Sequence, residues 1–412
     1  AALAHAEIPP HAKRSRGEGR QKVSGDVVTQ RRRGAESGVA TQARLGDVCR
    51  IDTSTSFPCE EEIWLLNLDM IEQQTGRVIQ RIYVDRNAPG ESTVAFDEDC
   101  ILYSKLRPNL NKVVLPDCKG VATSEILPLR SNADRATREF VCWFLRSPTF
   151  VSYAMNRTAG AKMPRLGTKE LLNAKIPLPP LDEQRRITAK LDRICDIIAK
   201  RKQQLVQLQQ LVKSRFVEMF GDLPNSRTLA DVCLIITDGT HQSPKFVEKG
   251  IPFLFVSNIV TNRLTYDAGK FIDEATYSEL IKRTPIEPGD ILLSTVGSYG
   301  HPAIVQSDKR FLFQRHIAYL KPSKAVVDSV FLHGVILSSN VQEQIERKVK
   351  GIAQKTLNLS EIKTIAVPLP PFALQREFAA FVAKVDKLAF AVRESLESAE
   401  KLYRKQLSEA FS

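Results

Sequence analysis

The apolar residues between positions 181 and 220 repeat with the spacing of a coiled-coil helix. They fall on alternating steps of four and three residues, and Arg201 and Arg215 occupy the two seam positions that are not apolar. The apolar seam positions are Ile187, Leu191, Ile194, Ile198, Leu205, Leu208, Val212 and Met219. About 40 residues at 1.5 Å each form a rod of roughly 60 Å. Such a rod is longer than a globular-domain helix and predicts pairing with a second helix.

The same pattern returns 191 residues later in the chain. Residues 175–180 (KIPLPP) end a short extended run before the first helix, and residues 366–371 (AVPLPP) precede the second. The second seam is largely apolar, with Val392 at the position equivalent to Arg201. It contains Phe378, Val382, Val385, Ala389, Leu396, Ala399, Tyr403 and Ala410. Two helices with the same seam can cover each other, so the sequence predicts a paired coiled coil.

The repeat extends beyond the helix into a globular part. The phrase at residues 45–49 (LGDVC) returns at 229–233 (LADVC), and 101–104 (ILYS) matches 291–294 (ILLS). Between such landmarks lie short runs rich in Val, Ile, Phe and Tyr, broken by turn residues, which are typical of strands. We also predict one helix at each of 135–156 and 327–348. Each globular unit is therefore α+β, mainly a twisted sheet with flanking helices.

These landmarks divide the chain into five segments. Residues 1–42 are basic and lack apolar periodicity, which predicts a disordered tail; it is either solvated or in contact with DNA backbone. The chain starts at Ala1 rather than Met, which we interpret as a processed, truncated or misassigned N-terminus. The remaining segments are a globular unit (43–165), a hinge and long helix (166–222), a second globular unit (223–356), and a second hinge and helix (357–412).

The amino-acid composition indicates the kind of binding partner and the cellular compartment. Lysine and arginine number 59 against 47 acidic residues, a formal net charge of +12, which favours a polyanionic partner. The seven cysteines include no C-x-x-C pair, which argues against a disulfide framework and a structural zinc site. No apolar run approaches about eighteen residues, and no charged segment precedes an apolar stretch. We therefore expect a cytoplasmic protein with no membrane span and no signal peptide.

The motifs of common catalytic sites do not occur in the sequence. It has no phosphate-binding P-loop, no G-x-G-x-x-G turn, no H-E-x-x-H pair and no Asn-Pro-Pro-Tyr-like motif of an adenine methyltransferase. The six histidines are scattered, and none has ligand spacing from a second His or Cys. We predict no catalytic residue, no metal site and no cofactor on this chain.

Several loops are polar in a manner that suits DNA recognition. Residues 238–244 (DGTHQSP) combine turn residues with hydrogen-bonding groups, and the glycines of 297–301 (GSYGH) permit close backbone approach. The corresponding first-unit stretch, 104–109, has different side chains, as two modules that read different sequences would. Loop drift, and polar groups that only satisfy local backbone, stay open as alternatives. The candidate DNA-binding residues are Ser104, Lys105, Arg107, Asn109, Lys112, Thr240, His241, Gln242, Asn258, Ser298, Tyr299, His301 and Arg315.

The order of segments resembles the specificity subunit of type I restriction-modification systems. The resemblance rests on the duplicated Pro-Leu-Pro-Pro hinge, the Gln-Arg pair after each hinge, the long helices, and the phrases DGTH and GDILLS at 238–241 and 289–294. It covers residues 45–411. The chain departs from the pattern in its basic tail and at residues 373–374 (AL), where the first hinge has Asp182 and Glu183.

The resemblance implies a non-catalytic subunit with two target recognition domains, here 43–165 and 223–356, that each read half of a bipartite site on double-stranded DNA. It also implies that the two long helices pack antiparallel, set the gap and dock methyltransferase subunits, two being expected. S-adenosylmethionine is expected on those subunits, and ATP and Mg on motor-nuclease subunits that join for cleavage. The implied partner-binding residues are Leu181, Gln184, Arg185, Phe372, Gln375 and Arg376.

Two other functions remain compatible with the sequence. One is a coiled-coil scaffold whose globular domains bind proteins, which predicts no salt-dependent DNA affinity. The other is an enzyme with its own site, such as a solitary DNA methyltransferase, which predicts that the isolated chain binds S-adenosylmethionine.

Overall fold

A computed structural model describes residues 41–53, 55–90, 92–160, 162–351 and 354–412. Within these ranges the chain forms two α+β units, each followed by a long helix. The predicted fold class and the predicted duplication are confirmed. Thr41 and Gln42, which were predicted to end the disordered tail, belong to a strand. The rest of the predicted disordered tail lies outside the described residues.

The first unit alternates short strands with short helices. Its strands are β1 (Thr41–Arg44), β2 (Cys49–Ile51), β3 (Glu62–Leu66), β4 (Ile82–Asp85), β5 (Thr93–Phe96), β6 (Ile101–Ser104), β7 (Val113–Val114), β8 (Gly120–Thr123), β9 (Ile126–Ser131), β10 (Thr158–Ala159), β11 (Arg165–Leu166) and β12 (Lys175–Leu178). Its helices are α1 (Leu45–Val48), α2 (Arg138–Arg146), α3 (Pro148–Met155), α4 (Thr168–Leu172) and the long α5 (Leu181–Phe220).

The second unit repeats this order with fewer strands. Its strands are β13 (Arg227–Thr228), β14 (Cys233–Asp238), β15 (Ile251–Leu254), β16 (Phe271–Ile272), β17 (Ile291–Ser294), β18 (Pro302–Ile304), β19 (Leu312–Phe313), β20 (Ile317–Pro322) and β21 (Ala366–Val367). Its helices are α6 (Leu229–Val232), α7 (Glu274–Leu280), α8 (Ser329–Leu337), α9 (Ser339–Lys348), α10 (Leu359–Lys363) and the long α11 (Phe372–Phe411).

The two units share one sheet plan. In the first, an antiparallel sheet has the order β2-β9-β6-β7, and a second sheet has the order β4-β3-β8-β5 with β3 and β8 parallel. In the second, the matching orders are β14-β20-β17-β18 and β16-β15-β19, with β15 and β19 parallel. Each hinge strand pairs with the strand that opens its own unit, β12 with β1 and β21 with β13. The internal repeat found in the sequence is therefore also present in the strand order of the sheets.

The helices α5 and α11 pack antiparallel along the predicted seam. The Arg201 Nε donates to Ser395 Oγ at 3.1 Å, and the Arg215 guanidinium pairs with Glu377 at 2.9 Å. As residue numbers rise along α5, their partners on α11 fall, which defines the antiparallel direction. The two seam arginines thus bridge the helices through their polar ends, and the predicted coiled coil is confirmed.

One end of this rod is built into the core of the first unit. Leu191 of α5 and Leu407 and Phe411 of α11 are buried among the residues of that core. The Phe411 ring lies 5.1 Å from the ring of Phe140 on α2, centroid to centroid. Burial of large apolar side chains is the main stabilising term in such a junction, about 1.5–3 kcal/mol for each side chain.

The other end is built into the core of the second unit. Phe216 and Phe220 of α5 lie against Phe378 of α11, with ring centroids 5.5 and 5.7 Å from it. Phe220 also meets Phe331 of α8 at 4.9 Å. A Cβ added at Gly334 would lie 3.0 Å from the rings of both Phe216 and Phe378, so this glycine permits the close approach. The rod therefore connects two cores at its two ends.

The helices predicted at 135–156 and 327–348 are each divided in two. Ser147 has extended backbone between α2 and α3, and its Oγ accepts from the N–H of Phe150 at 3.1 Å. Ser338 does the same between α8 and α9, accepting from Val341 at 3.4 Å. A serine that caps a helix must lie outside helical backbone, which ends the preceding helix. The prediction of single helices was wrong for this reason.

None of the described helices is apolar enough over sufficient length to cross a membrane.

Candidate nucleic-acid interface

Three loops of the second unit meet at one edge of its main sheet. Because β14 and β17 flank β20 and both run antiparallel to it, their carboxyl ends lie beside the start of β20. The Gly239 N–H donates to Ile317 O at 3.1 Å, and the Thr295 N–H donates to His316 O at 3.0 Å. We call residues 239–242, 295–301 and 314–316 the second edge.

The second edge brings together seven of the candidate DNA-binding residues. Thr240 and Arg315 are fixed side by side, since the Arg315 N–H donates to Thr240 O at 3.1 Å. Among the seven, His241, Gln242, Ser298 and Arg315 are exposed, and Thr240, Tyr299 and His301 are half-buried. Arginine and glutamine are the side chains suited to guanine and adenine edges in the major groove. The edge therefore presents hydrogen-bonding groups of the required kind on one surface.

Sequence reasoning missed a basic residue at this edge, Arg283. Its guanidinium pairs with Asp238 Oδ1, whose other oxygen lies 2.9 Å from His241 Nε2. Arg283 is half exposed, with 53% of its side chain accessible. It stands 45 residues after Asp238 in a segment without a motif, so only the fold reveals this proximity. Asp238 thus orients two side chains at the second edge.

Tyr299 is tied to the helix α9. Its hydroxyl donates to the carboxylate of Glu346, and Lys355 Nζ lies 3.3 Å from the same hydroxyl oxygen and 2.7 Å from Glu346. The hydrogen bonds from Lys355 and Tyr299 lower the pKa of Glu346, and the bond to Glu346 raises the pKa of Lys355. Lys355 is a second exposed cation that sequence reasoning missed.

The first unit has an equivalent edge. Ser104 at the end of β6 pairs with Ile126 at the start of β9, and Lys105 donates its N–H to Glu125 O at 3.0 Å. We call residues 104–109 with 124–125 and 165–166 the first edge. Lys105 is half-buried, and Arg107 and Asn109 are exposed. Arg165 lies there too, paired with Glu125 at 3.0 Å, and it is a further cation that sequence reasoning missed.

Two candidate DNA-binding residues are buried, which argues against direct contact of their side chains with a base. Ser104 is 4% exposed and donates to Leu106 O at 2.9 Å. Asn258 is 5% exposed; its Oδ1 accepts from Phe255 N–H at 3.0 Å, and its Nδ2 donates to Asp267 O at 2.9 Å. Both side chains use their hydrogen bonds to hold loop backbone, so neither can reach a base.

Lys112 also has an internal partner. It is half-buried and its Nζ donates to the carbonyl of Leu68. Burial lowers the pKa of this ammonium. In this structure the charged end of Lys112 therefore supports the first edge.

Two of the predicted partner-binding residues are also buried, which argues against contact with another subunit. Gln184 and Gln375 are both 0% exposed, so neither can touch another subunit. Gln184 Nε2 donates to Arg135 O and Pro179 O, each at 2.9 Å, and its Oε1 accepts from Thr137 N–H at 2.9 Å. Gln375 makes the equivalent three bonds in the second unit. These amides lock each hinge to its own globular unit.

The other four predicted partner-binding residues lie at the surface. Arg185 and Arg376 are exposed, Phe372 is 40% exposed and Leu181 is half-buried. All four lie in the first two turns of α5 or α11, on the same surface of the two repeats. They remain predicted partner contacts.

One group in the described chain has the composition of a cation site. Ligand atoms of Asp52, Asp97 and Cys100 lie within 4.8 Å of one another. The Arg130 guanidinium already bridges them, at 2.7 Å from Asp52 and 2.6 Å from Asp97. Burial acts to raise the pKa of Asp97, but the bond to Arg130 holds it below its usual value. The cluster is therefore an internal ion-pair network.

A family model described as the type I restriction modification DNA specificity domain matches residues 41–210 and 225–399. The chain is 27% identical over 282 residues to the type I restriction enzyme EcoBI specificity subunit of Escherichia coli, covering 61% of this chain and 58% of that one. It is 24% identical over 318 residues to the MjaVIII specificity subunit of Methanocaldococcus jannaschii, covering 70% and 72%. The match thus spans less than two thirds of the first relative.

Solved structures show the same fold. The type I restriction-modification system S subunit from M. genitalium aligns with a TM-score of 0.57 at 14% identity, over 92% of this chain and 98% of that one. A chain from a study of complex assembly in a type I R-M system aligns with a TM-score of 0.56 at 21% identity, over 90% and 97%. Since the family model covers most of both units, the chain belongs to the type I restriction-modification DNA specificity family and carries its domain twice.

Proposed function

We propose that this chain is the DNA-sequence-specificity subunit of a type I restriction-modification complex, and that each edge reads one half of a bipartite duplex target. The observation that carries this proposal is the pair of equivalent sheet edges, one in each unit, with a single antiparallel rod between the two cores. The edges carry different side chains on the same backbone plan. Such a pair suits two different half-sites held at a fixed separation.

The charge of the chain supports a DNA partner. The net charge is +12, and exposed arginines lie at both edges, namely Arg107, Arg165, Arg283 and Arg315. Cationic side chains bind phosphates, and those that reach the groove distinguish bases. The chain therefore carries both the attraction to DNA and the groups for direct readout.

The chemistry of restriction and modification belongs, in this proposal, to other subunits. The named relatives are specificity subunits of type I restriction enzymes. We propose that two methyltransferase subunits, with S-adenosylmethionine, dock at the surface marked by Leu181, Arg185, Phe372 and Arg376. Motor-nuclease subunits, with ATP and Mg, join them for cleavage. The complex would act on DNA in the cytoplasm.

The salt dependence of binding tests this proposal. The complex of this chain with its methyltransferase partner should bind duplex DNA with a slope of log affinity against log salt near −0.9 for each phosphate neutralised. Fluorescence anisotropy on a labelled duplex measures it. If Arg107 or Arg315 contacts a phosphate, its replacement by Gln should reduce the slope by about one. The Lys401→Gln variant on α11, which removes an exposed ion pair with Glu397, is the matched control.

Two results would overturn the proposal. A flat salt response would favour a scaffold whose globular units bind proteins. Methyl transfer to DNA by the purified chain alone would show that it carries its own active site.

A further inference from the structure

Asn262 lies behind the second edge and has a backbone conformation that residues other than glycine rarely adopt. Its φ is 59°, in the left-handed region. Its N–H donates to Ile259 O at 2.9 Å, and its carbonyl accepts from His333 Nε2 at 3.2 Å. Left-handed backbone at such a residue costs energy and persists only where the surroundings hold it in place. The backbone of Asn262 is therefore fixed from two sides.

His333, which binds the Asn262 backbone, has a defined tautomer. His333 Nε2 faces two carbonyl oxygens, those of Asn262 and Pro302, each at 3.2 Å. Carbonyls only accept, so Nε2 carries the hydrogen. Burial lowers the pKa of His333, which favours the neutral ring. His333 thus acts as a donor that holds two loops together.

The Asn262 side chain in turn holds His301 of the second edge. Asn262 Oδ1 lies 3.0 Å from His301 Nδ1. Because an amide oxygen only accepts, Nδ1 carries the hydrogen, and this contact fits the tautomer in which Nε2 is the acceptor. His301 Nε2 makes no hydrogen bond among the described residues and is not one of their buried unpartnered atoms. His301 therefore presents a hydrogen-bond acceptor to solvent.

The same segment is attached to the rod. Arg263, the next residue, pairs with Asp386 of α11 at 2.6 Å. The two residues 262–263 thus connect the recognition loop with the long helix. A side chain held in this way loses little conformational freedom on binding, which favours discrimination between bases.

The first unit contains an equivalent arrangement. Gln74 has a φ of 65° and lies between β3 and β4, as Asn262 lies between β15 and β16. Its N–H donates to Leu110 O at 3.0 Å, and its Nε2 donates to Asn109 O at 2.9 Å. Both units therefore hold an edge loop with an amide side chain on a left-handed residue. In the first unit the amide binds backbone, and in the second it binds a side chain.

We infer that Asn262 is a positioning residue for DNA recognition, which fixes His301 so that its Nε2 accepts a hydrogen bond from an exocyclic amino group of a base. This inference rests on the proposed function. The amino groups available in the major groove are N4 of cytosine and N6 of adenine. His301 would then be a specificity-determining residue of the second half-site.

Methylome sequencing of cells that express the variant chain with its methyltransferase partner tests the role of Asn262. Asn262→Gly keeps access to left-handed backbone and removes the amide, so one position of the second half-site should lose about tenfold in discrimination. His301→Ala should relax the same position. Gln74→Gly is the matched control and should relax only the first half-site.

Base analogues test the acceptor without changing the protein. At the relaxed position, adenine is replaced by purine, or cytosine by its 4-deamino analogue, which deletes the amino group. Affinity of the wild-type complex for this duplex should fall by about tenfold, and the His301→Ala complex should bind both duplexes equally.

The outcomes separate this inference from the proposed function. A wild-type complex that recognises no bipartite site would refute the proposed function. If a bipartite site is found, the inference is overturned by an unchanged motif in Asn262→Gly or His301→Ala, or by equal wild-type affinity for the analogue.

Discussion

Buried amides decide how each globular unit joins its long helix. Gln184 and Gln375 occupy equivalent places, and each satisfies two carbonyls and one N–H of its own unit. Leaving such groups unpaired in a buried site costs about 1–3 kcal/mol each. These residues therefore contribute to stability rather than to the surface.

Replacement of either glutamine by alanine should destabilise the chain. We expect Gln184→Ala and Gln375→Ala each to lower the free energy of unfolding by about 2–3 kcal/mol. The substitution leaves two backbone carbonyls and one backbone N–H without their partner, and water can reach only some of them. Urea denaturation followed by circular dichroism measures this. Asp182→Ala, which removes an exposed ion pair with Arg185, should change the free energy by less than about 0.5 kcal/mol. Equal effects in all three variants would contradict the structural role.

At the residue scale, the sequence predicted the loops of the candidate DNA-binding edges better than it predicted which of their side chains are accessible to DNA. Ser104 and Asn258 were chosen because serine and asparagine suit base edges, but the same residue types also satisfy loop backbone. Which of the two occurs depends on burial, and burial is set by segments distant in the chain. Arg283 shows the converse, since the fold brings it to the second edge beside Asp238 and His241.

Among the elements, the long helices were the most predictable. A heptad seam is a local pattern, and the helices α5 and α11 follow it over 40 residues each. The pairing of strands such as β3 with β8 joins residues far apart in sequence. A local sequence pattern cannot predict such a pairing. The division of α2 from α3 was missed because Ser147 is compatible with both a helix and a cap.

The polar seam position Arg201 gives a prediction at the element scale. Its Nε and Nη1 bind Ser395 and Gln204 at 3.1 and 2.8 Å, and polar seam residues favour one register at a cost in stability. Arg201→Leu should raise the free energy of unfolding by about 1 kcal/mol through apolar burial. Lys200→Leu, at an exposed position, should give no gain. A fall in stability for Arg201→Leu would show that its hydrogen bonds outweigh apolar burial.

On the scale of the whole molecule, the rod and the two cores form a continuous structure. Leu407 and Phe411 are buried in the first core, and Phe216 and Phe378 in the second. Ion pairs along the rod, such as Lys202 with Glu400 at 3.3 Å, add little by themselves because they are exposed. The separation of the two edges therefore depends on the length of α5 and α11.

Lengthening both helices tests whether they set the gap between half-sites. Insertion of one heptad near Gln204 and one near Ser395 keeps both seams in phase, and the contact of Arg201 with Ser395 places the two insertions at nearly the same level of the rod. The rod should grow by about 10 Å, or about three base pairs. Because three pairs also turn the duplex by roughly 100°, we expect a wider gap with weaker binding, measured on duplexes with spacers of different length. An insertion of two residues should instead prevent folding of the rod, since it rotates one seam away from the other. A heptad variant that stays folded and binds with its gap unchanged would mean that partner subunits, and not the helices, position the two edges.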